Sequence, residues 1–321
     1  MLTDILPAGY TARPATRDDL DAVIELLIAC DVAEYGEPDT SHEDLLADWE
    51  DLDLATDTWI AIAPDGEFAA YADVIQGNNH TEIGEFVQVH PGHYGRGLGT
   101  CLLRLAEARA REHVALAAPG ARVSVHNIVN SYNPNACSLL RDHGYTVSRR
   151  FRRMHRDLDA VPPEPSWPEG ISVRSFVPGQ DDRAVFEAVE EAFLDHWGHS
   201  EQSEPDFERW MRQLKRADFD PSVWFLALDG EEIAGVALCW DWEDVGWLRN
   251  LGVRRPWRKR GIGSALLRHV FREFHARGKP RVGLGVDSES LTGATRLYEQ
   301  AGMHITRQFD RYEKELRPAS D

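Results

Sequence analysis

Val253-Arg254-Arg255-Pro256-Trp257-Arg258-Lys259-Arg260-Gly261-Ile262-Gly263-Ser264 joins an apolar run, Trp247 to Val253, to a segment carrying Leu266, Leu267, Val270, Phe271 and Phe274. The run reads as a strand and the segment as an amphipathic helix. A strand that enters a helix through a glycine turn aims several backbone N–H groups, and the positive end of the helix dipole, at one point. Gly261 and Gly263 admit positive φ and let a ligand approach the main chain closely. The turn therefore suits a phosphate or pyrophosphate. A dinucleotide fingerprint would need a third glycine at 266, where Leu stands, and a P-loop would need Gly-Lys-Ser/Thr, which is absent. What remains is Arg-x-x-Gly-x-Gly, from Arg258 to Gly263.

The same features recur earlier in the chain. Gly97-Leu98-Gly99 precedes Gly261-Ile262-Gly263 by 164 residues, and Asp65-Gly66 precedes Asp229-Gly230 by the same interval. Both Asp-Gly pairs read as hairpin turns between apolar strands, with Trp59 and Trp224 ahead of them. Arg13 and Arg174 open matching segments, and Gly144 and Gly302 close matching helices. A period this long means a duplicated domain, not a solenoid. Val161-Pro162-Pro163-Glu164-Pro165-Ser166-Trp167-Pro168 cannot continue a helix or a central strand and reads as the linker. The expected division is residues 1–160, a linker at 161–169, and residues 170–321.

Each copy reads as a strand, a helix and a second short helix, followed by three antiparallel strands. The glycine turn and its helix come next, then a fifth strand, a short helix and a last strand. Ser41 with Asp44 three residues on marks the N-cap of the second helix, and Pro205 suits a first helical turn. This α+β order, with Arg258-x-x-Gly261-x-Gly263 and then Thr292-Gly293-Ala294-Thr295-Arg296-Leu297-Tyr298-Glu299-Gln300-Ala301-Gly302-Met303, resembles the GNAT acetyltransferase superfamily. Both halves look like GNAT domains, each a mixed, mostly antiparallel sheet flanked by helices, and the chain is similar to the tandem-GNAT group that includes mycothiol synthase.

The resemblance implies acetyl-CoA as cosubstrate and transfer of its acetyl group to a primary amine by direct attack in a ternary complex. Main-chain groups of Arg258, Lys259, Arg260, Gly261, Ile262, Gly263 and Ser264 would hold the pyrophosphate, with the Arg258 and Lys259 side chains adding charge. Leu251, Gly252 and Val253 would line the pantetheine arm, and one N–H there would face the thioester carbonyl. Ser290 stands where tandem relatives often carry an Asn that touches pantetheine. Tyr298, in the Leu-Tyr-x-x-x-Gly helix, is the proton donor to the departing thiolate.

The resemblance also places a strand glutamate six residues before Val253, and Trp247 stands there. The remaining base candidates are Asp241, Glu243, Asp244 and His196, the last in Asp195-His196-Trp197-Gly198-His199. In the first copy Tyr94 replaces Arg258 and Leu140 replaces Tyr298, so that copy has no proton donor. Val87, Val89, Arg96, Gly97, Gly99 and Thr100 would still hold CoA through backbone groups, and Asn133 and Ala136 also survive. The second copy is therefore expected to be catalytic and the first to bind CoA without turnover. A non-catalytic acyl-CoA sensor or scaffold is the alternative, favoured if Tyr298 lies away from the thioester.

Composition narrows the partners. The net charge of −19 excludes nucleic acid and anionic membranes as natural partners. Residues 1–57 hold 16 carboxylates against two arginines, which reads as a solvated acidic face or as attraction for a cationic small-molecule acceptor. Cys30, Cys101, Cys137 and Cys239 lie far apart, as isolated thiols do in a reducing cytoplasm. No leader and no membrane span is read. His90/His93 and His196/His199 have helical spacing in loops without an acidic or cysteine set beside them, so no metal is expected. No hydrolase elbow is present.

Overall fold

The computed structural model describes residues 6–77, 80–197, 204–216, 219–289 and 293–320. The first copy runs β1 (Thr11–Arg13), α1 (Leu20–Tyr35), α2 (His42–Glu50), α3 (Leu54–Asp57), β2 (Thr58–Ile62), β3 (Phe68–Gly77), β4 (Glu82–Val89), α4 (Leu98–His113), β5 (Val123–Asn130), α5 (Pro134–Asp142) and β6 (Thr146–Asp157). The second runs β7 (Ile171–Ser175), α6 (Asp182–Phe193), α7 (Glu204–Gln213), β8 (Trp224–Asp229), β9 (Glu232–Asp241), β10 (Gly246–Val253), α8 (Ile262–Ala276), β11 (Arg281–Asp287), α9 (Ala294–Gln300) and β12 (His304–Arg317). The α+β order read from the sequence is the observed one.

Local chemistry explains the repeated starts. Arg13 forms a two-pronged pair with Asp19 at 2.7 and 2.6 Å, and Arg174 does the same with Asp181 at 2.6 and 2.8 Å. Each aspartate also accepts a main-chain N–H, from Thr16 or Val177, and so fixes the entry into the first helix. Guanidinium hydrogen bonds hold both carboxyls below the usual range. Ser41 accepts the Asp44 N–H and caps α2 as read from the sequence. Gly66 and Gly230 turn the two hairpins with left-handed φ of +92° and +63°.

By contact the chain forms two units, residues 1–149 with 309–321, and residues 150–308. This differs from the division at the proline-rich linker. The strand that ends each copy completes the other copy's sheet. Within the first unit the order is β1-β2-β3-β4-β5-β12, and within the second it is β7-β8-β9-β10-β11-β6. β12 pairs antiparallel with β5 from Phe309↔Asn130 to Arg317↔Val123, and β6 pairs antiparallel with β11 from Asp157↔Arg281 to Phe151↔Asp287. Only β4·β5 and β10·β11 are parallel among the described pairs.

Each sheet carries helices on both faces. In the first unit α4 packs over Ala70, Ala72, Val74 and Ile83, while α1 and α2 cover Ile60 and Tyr71. In the second, α8 supplies Leu266, Leu267, Val270, Phe271 and Phe274 to a core shared with β8, β9 and β11. All four cysteines are free and buried. Among the described residues no helix is long and apolar enough to cross a membrane.

Tyr312 on β12 is 2% exposed within the first unit's core. Tyr312→Ala should cost about 3 kcal/mol. Hydrogen exchange should then show lost protection in β2 to β5, while β8 to β11 keep theirs.

Candidate active site

The turn after β10 follows a defined path. Arg254 and Arg258 are extended on either side of a 3-10 turn, Arg255–Trp257. Lys259 then takes φ +63°, and Gly261 takes +89° as the N-cap of α8. The first copy repeats the course with Gly95 at +73° and Gly97 at +84°. Lys259 thus adopts a conformation that costs an L-residue about 1 kcal/mol and that glycine fills for nothing. The first intrahelical bond of α8 starts at Ala265 N–H, which donates to Gly261 O at 3.0 Å. The N–H groups from Ile262 to Ser264 precede it and have no acceptor within the helix.

A cleft opens beside this turn. β10 pairs with β11 only at Gly246, Trp247 and Leu248, so Arg249 to Val253 have a strand on one side only. In the first copy β4 pairs with β5 from Glu82 to Glu85 and leaves Phe86 to Val89 in the same state. β10 also bulges at Arg249, whereas β4 stays in register with β3 throughout. The strand end, the turn helix and the short helix converge on one glycine in each copy. A Cβ on Gly263 would lie 3.6 Å from Val253 Cγ2 and from Leu297 Cδ2. A Cβ on Gly99 would lie 3.7 Å from Val89 Cγ2 and 3.2 Å from Leu139 Cδ2.

Tyr298 follows Leu297 on α9 and is 8% exposed. Burial pushes its phenol up to about 12. In the first unit the matching region is a cavity of about 440 Å³ that takes in Val87, Val89, Gly97, Gly99, Thr100 and Leu140. Arg96 does not line it. Its guanidinium donates to the Tyr10 hydroxyl at 2.7 Å and to Gly92 O at 3.1 Å. A tyrosine does stand close to Leu140 in sequence, but Tyr145 donates its hydroxyl to Glu85 at 2.8 Å. Ser290, Gly198 and His199 lie outside the described residues.

The arginines of the turn have protein partners, which sequence reading did not foresee. Arg258 donates from Nη1 to Asp195 at 2.6 Å, from Nη2 to Ala192 O at 2.9 Å, and from Nε to Val253 O at 3.1 Å. Arg255 also reaches Asp195, and Arg254 reaches Glu191 at 2.6 Å. The Arg255 and Arg258 hydrogen bonds hold the Asp195 carboxyl down at about 2. Arg260 pairs with Asp229 at 3.2 Å. Among the described residues Lys259 alone of these five cations has no carboxylate partner. The C-terminal end of α6 is thereby tied to the turn.

The base candidates fare differently from their sequence order. Asp241 pairs with Arg277 at 3.0 Å and Lys279 at 2.6 Å beyond the C-terminal end of α8. Its strand partner is Gly246, about 13 Å of strand from Asn250 at the cleft mouth. Glu243 and Asp244 are exposed in the same distant hairpin. His196 stacks on Phe193, with ring centroids 4.3 Å apart, beside the Asp195 tie. Trp247 stacks on Trp242 at 5.2 Å and fills the space over Gly283. Glu190, which sequence reading missed, lies on α6 two residues before Ala192, and a Cβ on Gly252 would touch Ala192 at 2.8 Å. No local motif marks it.

The pair His90/His93 also has an acidic neighbour that sequence order hid. Glu67, in the β2–β3 connection, stands 3.2 Å from His93 Nε2 and 3.8 Å from His90 Nδ1. The ligand atoms of these three groups lie within 4.8 Å of one another. Tyr10 OH meets the other ring nitrogen of His93 at 2.8 Å.

A strand-turn-helix crossing beside a splayed parallel pair thus occurs twice in the chain. The family model described as "Acetyltransferase (GNAT) family" matches residues 20–145 and 183–303. The mycothiol acetyltransferase of Kineococcus radiotolerans is 34% identical over 315 residues, covering 94% of this chain and 95% of that one. That of Streptomyces scabiei is 34% identical over 226 residues, 67% of this chain and 66% of that one, so this match spans just under two thirds of the relative. A solved GCN5-related N-acetyltransferase from Sphaerobacter thermophilus superposes with TM-score 0.85 at 42% identity, over 98% of both chains. The chain belongs to the GNAT acetyltransferase family and is a tandem N-acetyltransferase of that type.

If Arg258 acts by holding Asp195, the two residues form one device. Arg258→Ala and Asp195→Ala should each raise the KM for acetyl-CoA several-fold, and the double variant should be no worse than either. Additive losses in steady-state kinetics would return the Arg258 charge to the phosphate.

Proposed function

We propose that the second unit moves the acetyl group of acetyl-CoA to a small primary amine by direct attack, and that the first unit binds CoA without turning over. The convergence at Gly263 of helix-start N–H groups, the free edge of β10 and the helix of Tyr298 carries this reading. The N–H groups from Gly261 to Ser264, with the Lys259 ammonium, hold the pyrophosphate. Pantetheine runs along Leu251 to Val253, and a main-chain N–H on that free edge meets the oxyanion that forms at the thioester carbon.

As the amine nitrogen bonds to carbon, the carbon–sulfur bond breaks. The ammonium sheds two protons in all: one ends on sulfur and the other in solvent. Tyr298 is suited to pass the first of these. With its pKa at about 12, against about 8.5 for a thiol, leaving a bare phenolate would cost about 5 kcal/mol. The phenol therefore takes up a proton from nitrogen as it gives one to sulfur. It stays protonated, and so active, until pH rises toward 12.

In the first unit Leu140 cannot relay a proton, yet the cavity between the glycine turn and α5 is retained. That supports a bound CoA there with no chemistry. The relatives named for mycothiol favour a small-molecule acceptor. Trp247 stands where the resemblance leads to the expectation of a strand glutamate.

In a CoA-release assay over a panel of amines, Tyr298→Phe should lower kcat about 100-fold and leave the KM for acetyl-CoA little changed. Full activity of this variant would remove Tyr298 from the mechanism. The wild-type pH profile should rise as the acceptor deprotonates and show no falling limb from Tyr298 below pH 10. Calorimetric titration should find two CoA sites per chain, and Leu140→Ala should leave kcat unaltered. Loss of turnover in a folded Leu140→Ala chain would contradict the passive role of the first unit.

A further inference from the structure

A second concavity of about 220 Å³ lies in the second unit on the face covered by α6 and α7. Its floor is Trp224 and Leu238, and Phe186 and Trp210 form an apolar wall, with ring centroids 5.9 Å apart. Trp210 in turn packs on Trp224 at 5.6 Å. Around the rim stand Glu190, Asp206, Arg209 and Arg249, with Asn250 and Gln213 between them.

Two features connect this pocket to the cleft. Arg249 and Asn250, which line the pocket, are also the first residues of β10 beyond its pairing with β11, and the bulge between Leu248 and Asn250 falls on Arg249 itself. One step further along, the missing side chain of Gly252 lets α6 close on the strand. A Cβ there would lie 2.8 Å from Ala192 Cβ and 3.1 Å from Phe193 Cε2. On this face, access to a thioester lying on Leu251 to Val253 therefore passes Arg249 and Asn250.

The charge pattern decides the ligand class. Two carboxylates and two guanidiniums share the rim. Arg209 lies 3.5 Å from Asp206, and Arg249 donates to the neutral Gln213 Oε1 at 3.0 Å. A purely cationic acceptor would face the two guanidiniums at like charge. The 16 carboxylates of residues 1–57 that favoured such an acceptor belong to the other unit.

We propose that this pocket seats the acceptor, and that the acceptor is a zwitterion: an amine bearing its own carboxylate and an apolar side group. Glu190 holds the ammonium, Arg249 holds the carboxylate, and the side group lies on Phe186 and Trp210. The proposal rests on the acetyl-transfer reading of the same unit and names the substrate class for it.

The test uses the full chain with acetyl-CoA and matched probes: L-phenylalanine, L-leucine and L-glutamate, each beside its decarboxylated amine. CoA release should favour at least one amino acid over its amine by about tenfold or more in kcat/KM, the worth of one ion pair of about 1.4 kcal/mol. Arg249→Met should abolish that preference by slowing the amino acid and sparing the amine. Glu190→Gln should slow both. Preference for the amines, or an Arg249→Met variant that leaves the preference intact, overturns the proposal. Binding is measured separately by calorimetry with CoA present, which keeps the two readings apart. Arg249-dependent binding of an amino acid with no CoA release in any mixture would uphold the pocket and remove the acetyl-transfer reading. Absence of binding by every amino acid probe overturns the pocket.

Discussion

The architecture of each site depends on two glycines that flank one buried apolar residue, Ile262 or Leu98. At 261 and 97 the backbone must take a left-handed turn to leave its strand and start a helix. Two residues later a Cβ would already touch the strand end and the short helix. A longer side chain at 263 would push Val253 and Leu297 apart. The packing of α9, the helix of Tyr298, against the strand end would go with it. In the proposed mechanism the diphosphate site and the proton relay are one construction, because the helix that starts at Gly261 packs against α9 through Gly263.

Around that construction the chain spends charge on geometry. Exposed ion pairs stabilise a fold by little, so the tie from Arg254, Arg255 and Arg258 to Glu191 and Asp195 is better understood as alignment. α6 runs beside β10, with Glu190 nearest the pocket rim, Ala192 and Phe193 on Gly252, and Asp195 at the turn. Fixing one end of that helix to the turn fixes the register of everything along it. A basic sequence beside a glycine turn looks like a phosphate ligand. Here three of its side chains are chiefly the fasteners of a helix.

Local signals were legible and non-local ones were not. The Asp-Gly hairpins, the Ser41 cap, the glycine turns and the α9 motif are chemistry written within a few residues, and the sequence showed each of them. The exchange of β6 and β12 leaves no such mark, because a last strand carries the same alternating pattern whichever sheet receives it. The bulge at Arg249 adds one residue without a signature. Nearness in sequence also misled. Asp241, Glu243 and Asp244 precede β10 closely, yet a hairpin places them at the strand's far end, whereas Glu190 is distant in sequence and lies alongside. Glu67 reached His90 and His93 across more than twenty residues in the same way.

The two copies separate what a site needs for holding from what it needs for chemistry. Both keep the left-handed turn, the splayed strands and the close-packed glycine. They differ in the phenol, in the bulge, and at Arg258, where the first copy has Tyr94. Without the bulge, β4 keeps its register against β3 up to the turn. At the position of the phenol α5 carries the apolar Leu140, and the nearby Tyr145 already serves Glu85. Side chains meet no obstacle to growing into a cavity of about 440 Å³, and these have not done so. The open cavity supports the proposal that the first unit holds the same cosubstrate, just as Tyr298 supports the proposal that turnover belongs to the second.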